Sequence, residues 1–440
     1  MKKFYVILLA LLIPVLTQAQ NFEGNWNGKL TVGLQKLTLV FHVQGNTCTM
    51  DSPDQGAKGI PTTIENMTAD SISIKIAAIG GSYVGKKTAD GIEGTFTQSG
   101  MKFPLNLVAG DGAKNRPQTP KGPFDYTTKE VCFTNPTDGA VLAGTLVIPK
   151  DYTAKTPVVL MVSGSGLQNR DEEIMEHKPF LVLADYLAKF GIASLRYDDR
   201  SFGKSTGSVA QATTETFKQD AEAGLNYLRQ NEHFGKVGIL GHSEGGTIAY
   251  LLAAAGKADF IVSMAGPTVS GKELLLEQNK LLLKAEGLPE QVVNDYVKVL
   301  GPVFDLRIQK INSEKPDEVI QELIKQYQVN LPTGLQKNLE AVLAPNVWND
   351  YFLALTAQNE VRNMTCPALL LGGSKDLQVP AILNFYGFKL KNRKSKIKVY
   401  PALNHLFQTC QTGAVSEYGE IEETISPEVL YDIMKFIEGI

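Results

Sequence analysis

Cysteine and histidine are scarce in this 440-residue chain, with 4 and 5 copies. The cysteines stand far apart, at Cys48, Cys132, Cys366 and Cys410, a spacing that resembles no zinc site. Sequence leaves open which of them pair in an oxidising compartment, or whether they stay as buried thiols. The chain also lacks a G-x-G-x-x-G dinucleotide loop, a phosphate loop and any clustered metal-ligand motif. No cofactor and no metal are therefore expected. Excess charge of one sign is missing as well. The net charge of −3 gives no electrostatic reason to expect nucleic acid or an anionic membrane as partner. Beyond the first residues there is no apolar run of the roughly 20 residues that a membrane span requires.

The start of the chain has its own pattern. Lys2 and Lys3 precede an apolar stretch over 6–16, interrupted only by Pro14, and Thr17-Gln18-Ala19 places small residues where a signal peptidase reads. This predicts a secretory signal peptide over 1–19 and an exported protein, periplasmic or extracellular, beginning near Gln20. No cysteine stands at the cleavage point to take a lipid anchor.

The remainder divides by periodicity. Over 20–109, apolar residues alternate with others at Leu37, Leu39, Phe41 and Val43, at Ile72, Ile74 and Ile76, and at Phe103, Leu105 and Leu107. A period of two means strands with one buried face, so this stretch predicts a small β-barrel or β-sandwich. Its His42 sits in an alternating strand and is assigned a structural role. Residues 110–126 are rich in Gly, Pro and charge and read as a linker. From 127 onward, short apolar runs at 142–148, 158–162, 193–197, 237–240, 260–265, 368–371 and 397–400 alternate with helical patterns such as 179–190, 216–230 and 247–255. Unbroken apolar strands separated by helices predict a mostly parallel sheet covered on both faces. Residues from about 270 to 345 are helical in pattern without a strand, which predicts a helical lid.

Gly241-His242-Ser243-Glu244-Gly245 carries the chemistry. It joins an apolar strand to a helix, the setting in which G-x-S-x-G forms a nucleophile elbow. Side chains two residues before and after the serine collide with the turn or the sheet, so glycine is favoured there. The serine is presented at a helix N-terminus, where amides favour developing negative charge. A serine needs a base, and His405 is the one histidine that follows Ser243. It lies just after the strand at 397–400. The acid is assigned to Asp376, in the loop after the strand at 368–371, where it can hold the imidazole in the right tautomer. An oxyanion hole takes two backbone N–H groups. One is that of Glu244. The other is assigned to Ser165 in the loop Ser163-Gly164-Ser165-Gly166, with Gly166 as the second choice.

Two polar clusters accompany this set. Residues 168–173 (QNRDEE) either line the pocket or form a salt-bridged loop, the second being favoured. Residues 198–205 (DDRSFGKS) read as a structural turn that braces the oxyanion loop. His177 and His233 read as incidental, and His242 as a packing residue.

The segments LMVSGSGLQNRDE, YDDRSFGKSTG, GILGHSEGGTIA, CPALLLGGSKDLQVP and LNHLFQ, in this order, together with the tail YGEIEETISPEVL, resemble the α/β-hydrolase superfamily. Within it they are most similar to exported bacterial esterases related to serine aminopeptidase-like hydrolases. The resemblance implies an α/β-hydrolase fold over 127–440, with Ser243 as nucleophile, Asp376 as acid and His405 as base. Two positions depart from the superfamily's habit: Ser163, where histidine is common, and Ser201, where glycine is common. The expected activity is hydrolysis of carboxylic esters of small or medium acyl groups, with a small-molecule ester as partner. An exported aminopeptidase or dipeptidase is the rival reading within enzymes; it needs an anchor for a substrate ammonium, for which Glu273, Glu286 and Asp295 in the lid are candidates. A surface glycan-binding protein acting through the β domain is the non-enzymatic rival.

Overall fold

The computed structural model describes residues 22–440 apart from 33, 34, 56, 113 and 232, so the signal peptide expected over 1–19 lies outside the described residues. The chain divides into two compact units, with the boundary between Lys114 and Asn115.

In the first unit, antiparallel strands follow one another as a meander from Gly24–Val32 to Met101–Pro104. The sheet then closes on itself. Leu107 pairs with Ile92 on one side, and the strand Val108–Ala109 pairs with Gly24–Val32 on the other. Closure leaves no long free edge. The alternating residues fulfil their pattern: Leu39, Phe41, Val43, Ile72, Ile74, Ile76, Leu105 and Leu107 fill one interior cluster with Tyr83 and Phe96. His42 is half-buried, with one ring nitrogen 2.9 Å from Asn25 Oδ1 and the other 3.0 Å from an Asp51 carboxylate oxygen.

The second unit holds an eight-stranded sheet of β1 (Thr127–Thr134), β2 (Val141–Ile148), β3 (Val158–Val162), β4 (Ala193–Tyr197), β5 (Val237–His242), β6 (Ile261–Met264), β7 (Ala368–Gly373) and β8 (Lys396–Tyr400). Their spatial order is β1-β2-β4-β3-β5-β6-β7-β8. The pairs β1–β2 and β2–β4 are antiparallel, and the others are parallel. Strand β1 escapes the sequence pattern because its residues up to Glu130 are exposed, so it carries no apolar run. The central strands are apolar throughout because both faces are covered. In β3, Val158, Leu160 and Val162 point into one core cluster, and Val159 and Met161 into the opposite one. Helices Pro179–Lys189 and Pro427–Glu438 pack in the second cluster, and Thr214–Asn231 and Glu244–Ala254 in the first.

Between β6 and β7 the chain is helical from Gly271–Ala285 to Gln358–Asn363, with an apolar core of its own built on Val299, Leu300, Val303, Leu339 and Leu353. This insertion outruns the expected end near 345 by two short helices, Val347–Ala354 and Gln358–Asn363, too short to show a helical period in sequence. The segment read as a linker is docked to the second unit after residue 115. The Arg116 guanidinium donates to the carbonyls of Met175, Gly419 and Ile421, and the Gln118 side chain accepts from the N–H of Thr424. All four cysteines are free thiols.

Candidate active site

Strand β5 ends in a turn whose shape dictates its residues. Ser243 has φ 52° and ψ −119°, a backbone conformation that costs a non-glycine residue on the order of 1–3 kcal/mol. A Cβ on Gly241 would sit 2.0 Å from the carbonyl oxygen of Gly245, and one on Gly245 would sit 2.0 Å from that of Val162. Both glycines are thus required by backbone, which cannot move aside as a side chain can. The helix Glu244–Ala254 starts at once after Ser243. The N–H groups of Gly246 and Thr247 turn back to the Ser243 carbonyl, at 2.9 and 3.3 Å, while those of Glu244 and Gly245 precede the first intrahelical acceptor.

Ser243 lines a cavity of about 350 Å³. Ser243, His405, Ser165, Gly164, His242 and Glu172 lie on its polar side; Leu274, Leu275, Trp348 and Phe352 from the helical insertion form much of its apolar side, with Ile174, Met175, Val379 and Tyr418. The loop after β8 brings in His405, whose Nδ1 donates to Asp376 Oδ2 at 2.8 Å. Asp376 is buried, and its other oxygen accepts the N–H groups of Gln378 and Val379, both at 2.8 Å. With Nδ1 committed to the carboxylate, Nε2 is the His405 nitrogen left for the cavity. Ser243 and His405 thus line the same cavity from the ends of β5 and β8, and Asp376, after β7, is bonded to His405.

Of the two residues weighed as second oxyanion donor, Ser165 lines this cavity, whereas Gly166 lines a small cleft behind the elbow with Asp199 and Glu244. The Gly164 N–H is already used: it donates to Glu172 Oε1 at 2.9 Å. Glu244 turns its carboxylate inward and accepts from Thr214 Oγ1 at 2.6 Å and from Trp348 Nε1 at 2.9 Å, with Ser165 acting on it in the same direction. Burial pushes its carboxyl up from the ordinary range, against the pull of those three residues.

The turn at 198–205 braces the oxyanion loop. Asp199 accepts from Ser163 Oγ at 3.1 Å and from the Gln168 N–H at 2.8 Å. Asp198 accepts from the Arg170 N–H and guanidinium, and Arg170 reaches on to Glu130. The cluster 168–173 thus does both things weighed for it: Arg170 is salt-bridged, while Gln168 and Glu172 line the cavity. Ser163 holds Asp199 at the position where histidine is common in the resembling superfamily. Ser201 has φ 62°, the left-handed conformation for which glycine is the natural occupant, which accounts physically for glycine being common there.

Two assignments change. His242 is more than a packing residue, because it has polar partners at both ring nitrogens, Glu172 Oε1 at 2.9 Å and the His405 carbonyl at 3.0 Å. His177 is fully buried and holds Thr424 Oγ1 and the Tyr418 carbonyl, binding the cavity wall from behind. His233 is exposed. Sequence reasoning missed Trp348 as a residue of the site, and weighed Glu172 only as one member of the cluster 168–173. Neither carries a local signal, since Glu172 sits in a run of charges and Trp348 at the start of a short helix.

With this geometry in place, comparison with known proteins can be read. A family-wide profile of the X-Pro dipeptidyl-peptidase (S15 family) matches residues 138–402, which span from the β1–β2 turn to the loop before His405. Esterase EstD of Thermotoga maritima is 28% identical over 271 residues, 60% of this chain and 58% of the relative. An acyl transferase of Photobacterium phosphoreum is 25% identical over 159 residues, 36% of this chain and 50% of the relative. The chain thus spans 58% and 50% of the lengths of these curated relatives. A solved esterase of Pyrococcus furiosus, 16% identical, covers 74% of this chain and 98% of its own with a TM-score of 0.43. The profile takes in Ser243, Asp376 and more than half of the chain, so the chain is an α/β-hydrolase and belongs to the X-Pro dipeptidyl-peptidase (S15) family.

Proposed function

We propose that this protein hydrolyses carboxylic esters with uncharged, small or medium acyl groups, by two-step acyl transfer through Ser243, His405 and Asp376. The observation that carries the proposal is the His405–Asp376 hydrogen bond opening onto the same cavity as a serine held at φ 52°. In the first step Ser243 Oγ attacks the ester carbonyl while His405 Nε2 takes its proton. The N–H groups of Glu244 and Ser165 stabilise the oxyanion. The alcohol leaves with the proton from His405, and Asp376 stabilises the imidazolium in between. Water then attacks the acyl-enzyme with His405 as base, and the acid departs. The helical insertion acts as lid, since Leu274, Leu275, Trp348 and Phe352 close the apolar side on which an acyl chain would lie.

The charge of the cavity separates the ester reading from the aminopeptidase one. An ammonium group needs a carboxylate that faces it. Glu273, Glu286 and Asp295 are absent from the cavity lining, and the carboxylate that does line it, Glu172, is bonded to His242 and Gly164. The other polar side chains along the wall are neutral, Gln168, Gln278, Gln378 and Tyr418. Initial rates on p-nitrophenyl butyrate and on aminoacyl and dipeptidyl p-nitroanilides test the assignment. Turnover of the ester by the wild type, and none by Ser243→Ala, is expected. Higher kcat/KM on an anilide with a free amine would overturn the substrate class. Export rests on residues 1–19, and fractionation of cells producing the full chain tests it; the protein is expected outside the cytoplasm with its N-terminus near Gln20.

A further inference from the structure

His242 is buried, 4% exposed, and its two ring nitrogens face two acceptors. Nδ1 lies 2.9 Å from Glu172 Oε1, and Nε2 lies 3.0 Å from the main-chain carbonyl of His405. A carbonyl has no proton to give, and an ionised carboxylate has none either. A neutral imidazole can donate to only one of them. Satisfying both requires the imidazolium, and its charge then needs a buried counter-ion. Glu172, 1% exposed, supplies it. Glu172 reaches this position through a backbone at φ 51°, and Met175 and Glu176 beside it also have positive φ. The same Oε1 accepts the Gly164 N–H at 2.9 Å.

Each end of this pair holds a different part of the site. Gly164 carries the oxyanion loop, and a Cβ built on it would lie 3.1 Å from Ser243 Cβ, so the loop is seated directly on the nucleophile. His242 is the backbone neighbour of Ser243. The acceptor at its far nitrogen belongs to His405 itself, and the two imidazole rings are 4.7 Å apart. We infer that Glu172 and His242 are positioning residues for the proposed acyl transfer, a buried carboxylate–imidazolium pair that ties the oxyanion loop, the elbow and the loop of the base into one rigid unit. The inference rests on the hydrolytic reading above for its purpose, but the pair is defined by geometry alone.

The charged surroundings are consistent with it. Burial by itself would hold His242 neutral; the charge of Glu172, its hydrogen bond and the His405 carbonyl outweigh that and raise its pKa, with Asp376 acting in the same direction. Asp199 and Glu244 stand behind the oxyanion loop and face Ser163 and Ser165. Because the pair is neutral as a whole, it adds no net charge beside His405 when that ring takes up the serine's proton.

Two measurements test the inference. The first is a long-range ¹H–¹⁵N correlation spectrum of the full wild-type chain labelled with ¹⁵N-histidine, recorded between pH 6 and 9, with His242 assigned from the His242→Gln variant. A proton on both ring nitrogens at pH 7 is expected. One bare nitrogen at pH 7 would overturn the pair. The second is Glu172→Gln, which keeps an acceptor for Gly164 but removes the charge. A fall in kcat of roughly 10- to 100-fold with KM within about twofold is expected, because misplacement of the reacting groups is felt in the transition state rather than in binding. Unchanged kcat, or a loss confined to KM, would overturn the positioning role. If Glu172→Gln does not fold, the wild-type spectrum still decides the pair, and if His242→Gln does not fold, His242 is assigned by elimination from single variants of the other four histidines. A wild type that turns over no ester defeats the hydrolytic reading, and the positioning role with it. A bare nitrogen on His242 in an active enzyme defeats the pair alone.

Discussion

Among the described residues of the all-β unit, the polar side chains buried as deeply as the core are Thr38 and Ser52, whereas the α/β unit buries Glu172, His242 and His405 at the main cavity, Asp376 beside His405, Asp199 and Glu244 at the cleft behind the elbow, and ion pairs such as Arg200–Asp220 elsewhere. Backbone strain divides the same way. The β unit obtains its positive-φ turns from glycines such as Gly45, Gly59, Gly80 and Gly100, and Ser99 is the described non-glycine residue there with positive φ. The α/β unit places Glu172, Met175, Glu176, Ser201 and Ser243 in that region, and also Ala265, Lys310, Gln328, Ala402 and Phe407. Buried charge and strained backbone both cost stability. A chain that keeps one unit nearly free of both and gathers them in the other marks that second unit as the place to look for function.

The largest expected effect breaks or upholds this contrast directly. His42 and His405 each have a carboxylate partner, Asp51 at 3.0 Å and Asp376 at 2.8 Å. Only His405 shares a cavity with a serine on an elbow. His405→Ala is expected to lower kcat on p-nitrophenyl butyrate by on the order of 10⁴–10⁶, as removal of a triad member does. His42→Ala should leave kcat unchanged. Loss of activity in both would mean that the β unit takes part in the chemistry.

Next in size is a pair of glycine substitutions. In Gly245→Ala the new Cβ meets the Val162 carbonyl at 2.0 Å, so the elbow must open away from β3. The expected loss is about 3 kcal/mol or more. Gly100→Ala meets nothing within 4 Å and suffers only its φ of 77°, an expected cost of about 1 kcal/mol. The two tryptophans make the measurement separable, because Trp26 lies in the first unit and Trp348 in the second. Urea unfolding followed by fluorescence in the Trp26→Phe and Trp348→Phe backgrounds reports each unit in turn. Equal losses would remove the case that the elbow is the tighter structure.

Much of this arrangement is legible in the sequence, and the division follows a physical rule. Strands buried on both faces show as apolar runs, so β2 to β7 appear nearly at their observed bounds; β8, part-exposed at the sheet edge, shows through Ile397, Val399 and Tyr400, and β1, exposed over half its length, does not show. Ser243, Asp376 and His405 are legible because each follows a strand and the elbow forces its glycines. Glu172 is not, because what makes it important is distance in space: its partner His242 is 70 positions away along the chain, and nothing local distinguishes it from Glu173. Trp348 is hidden for the same reason, since its bond to Glu244 crosses from the insertion to the elbow.

A smaller effect tests the buried charge by pH. Burial raises Asp199 to about 7 from its ordinary 3.8, against the hydrogen bonds from Gln168 and Ser163, and the charges of Glu172 and Glu244 push the same way. A carboxyl raised in the folded state keeps its proton while the unfolded chain gives its own up. Its contribution to stability is therefore complete below pH 3.8 and is lost as pH rises to about 7. Asparagine does not ionise. Asp199→Asn should thus gain on the wild type by on the order of 2 kcal/mol between pH 5 and pH 8. Urea titrations of both proteins at the two pH values measure this, and a difference that stays flat would mean that Asp199 is ionised throughout.

The smallest effect sharpens what the strained residues are for. Ser201 at φ 62° and Ser99 at φ 51° are both serines held where glycine is at ease, one in each unit. Ser201→Gly relieves folded-state strain but adds freedom to the unfolded chain, so the net gain is expected at only about 0.5 kcal/mol, and Ser99→Gly should match it. Activity then separates two kinds of strain. Ser201 belongs to the turn in which Asp199 holds Ser163 and Gln168, yet its own N–H bonds only to the Thr206 carbonyl. If that turn is rigid without the serine, Ser201→Gly leaves kcat unchanged, and the strain tied to chemistry is confined to Ser243 and the segment 172–176. If kcat falls while stability rises, the turn owes its hold on the oxyanion loop to the restricted backbone at Ser201, and relief of strain there loosens the donor at Ser165. Paired kcat and urea midpoints for the two glycine variants decide between these outcomes, because a gain in stability common to both cannot by itself explain a loss of rate in one.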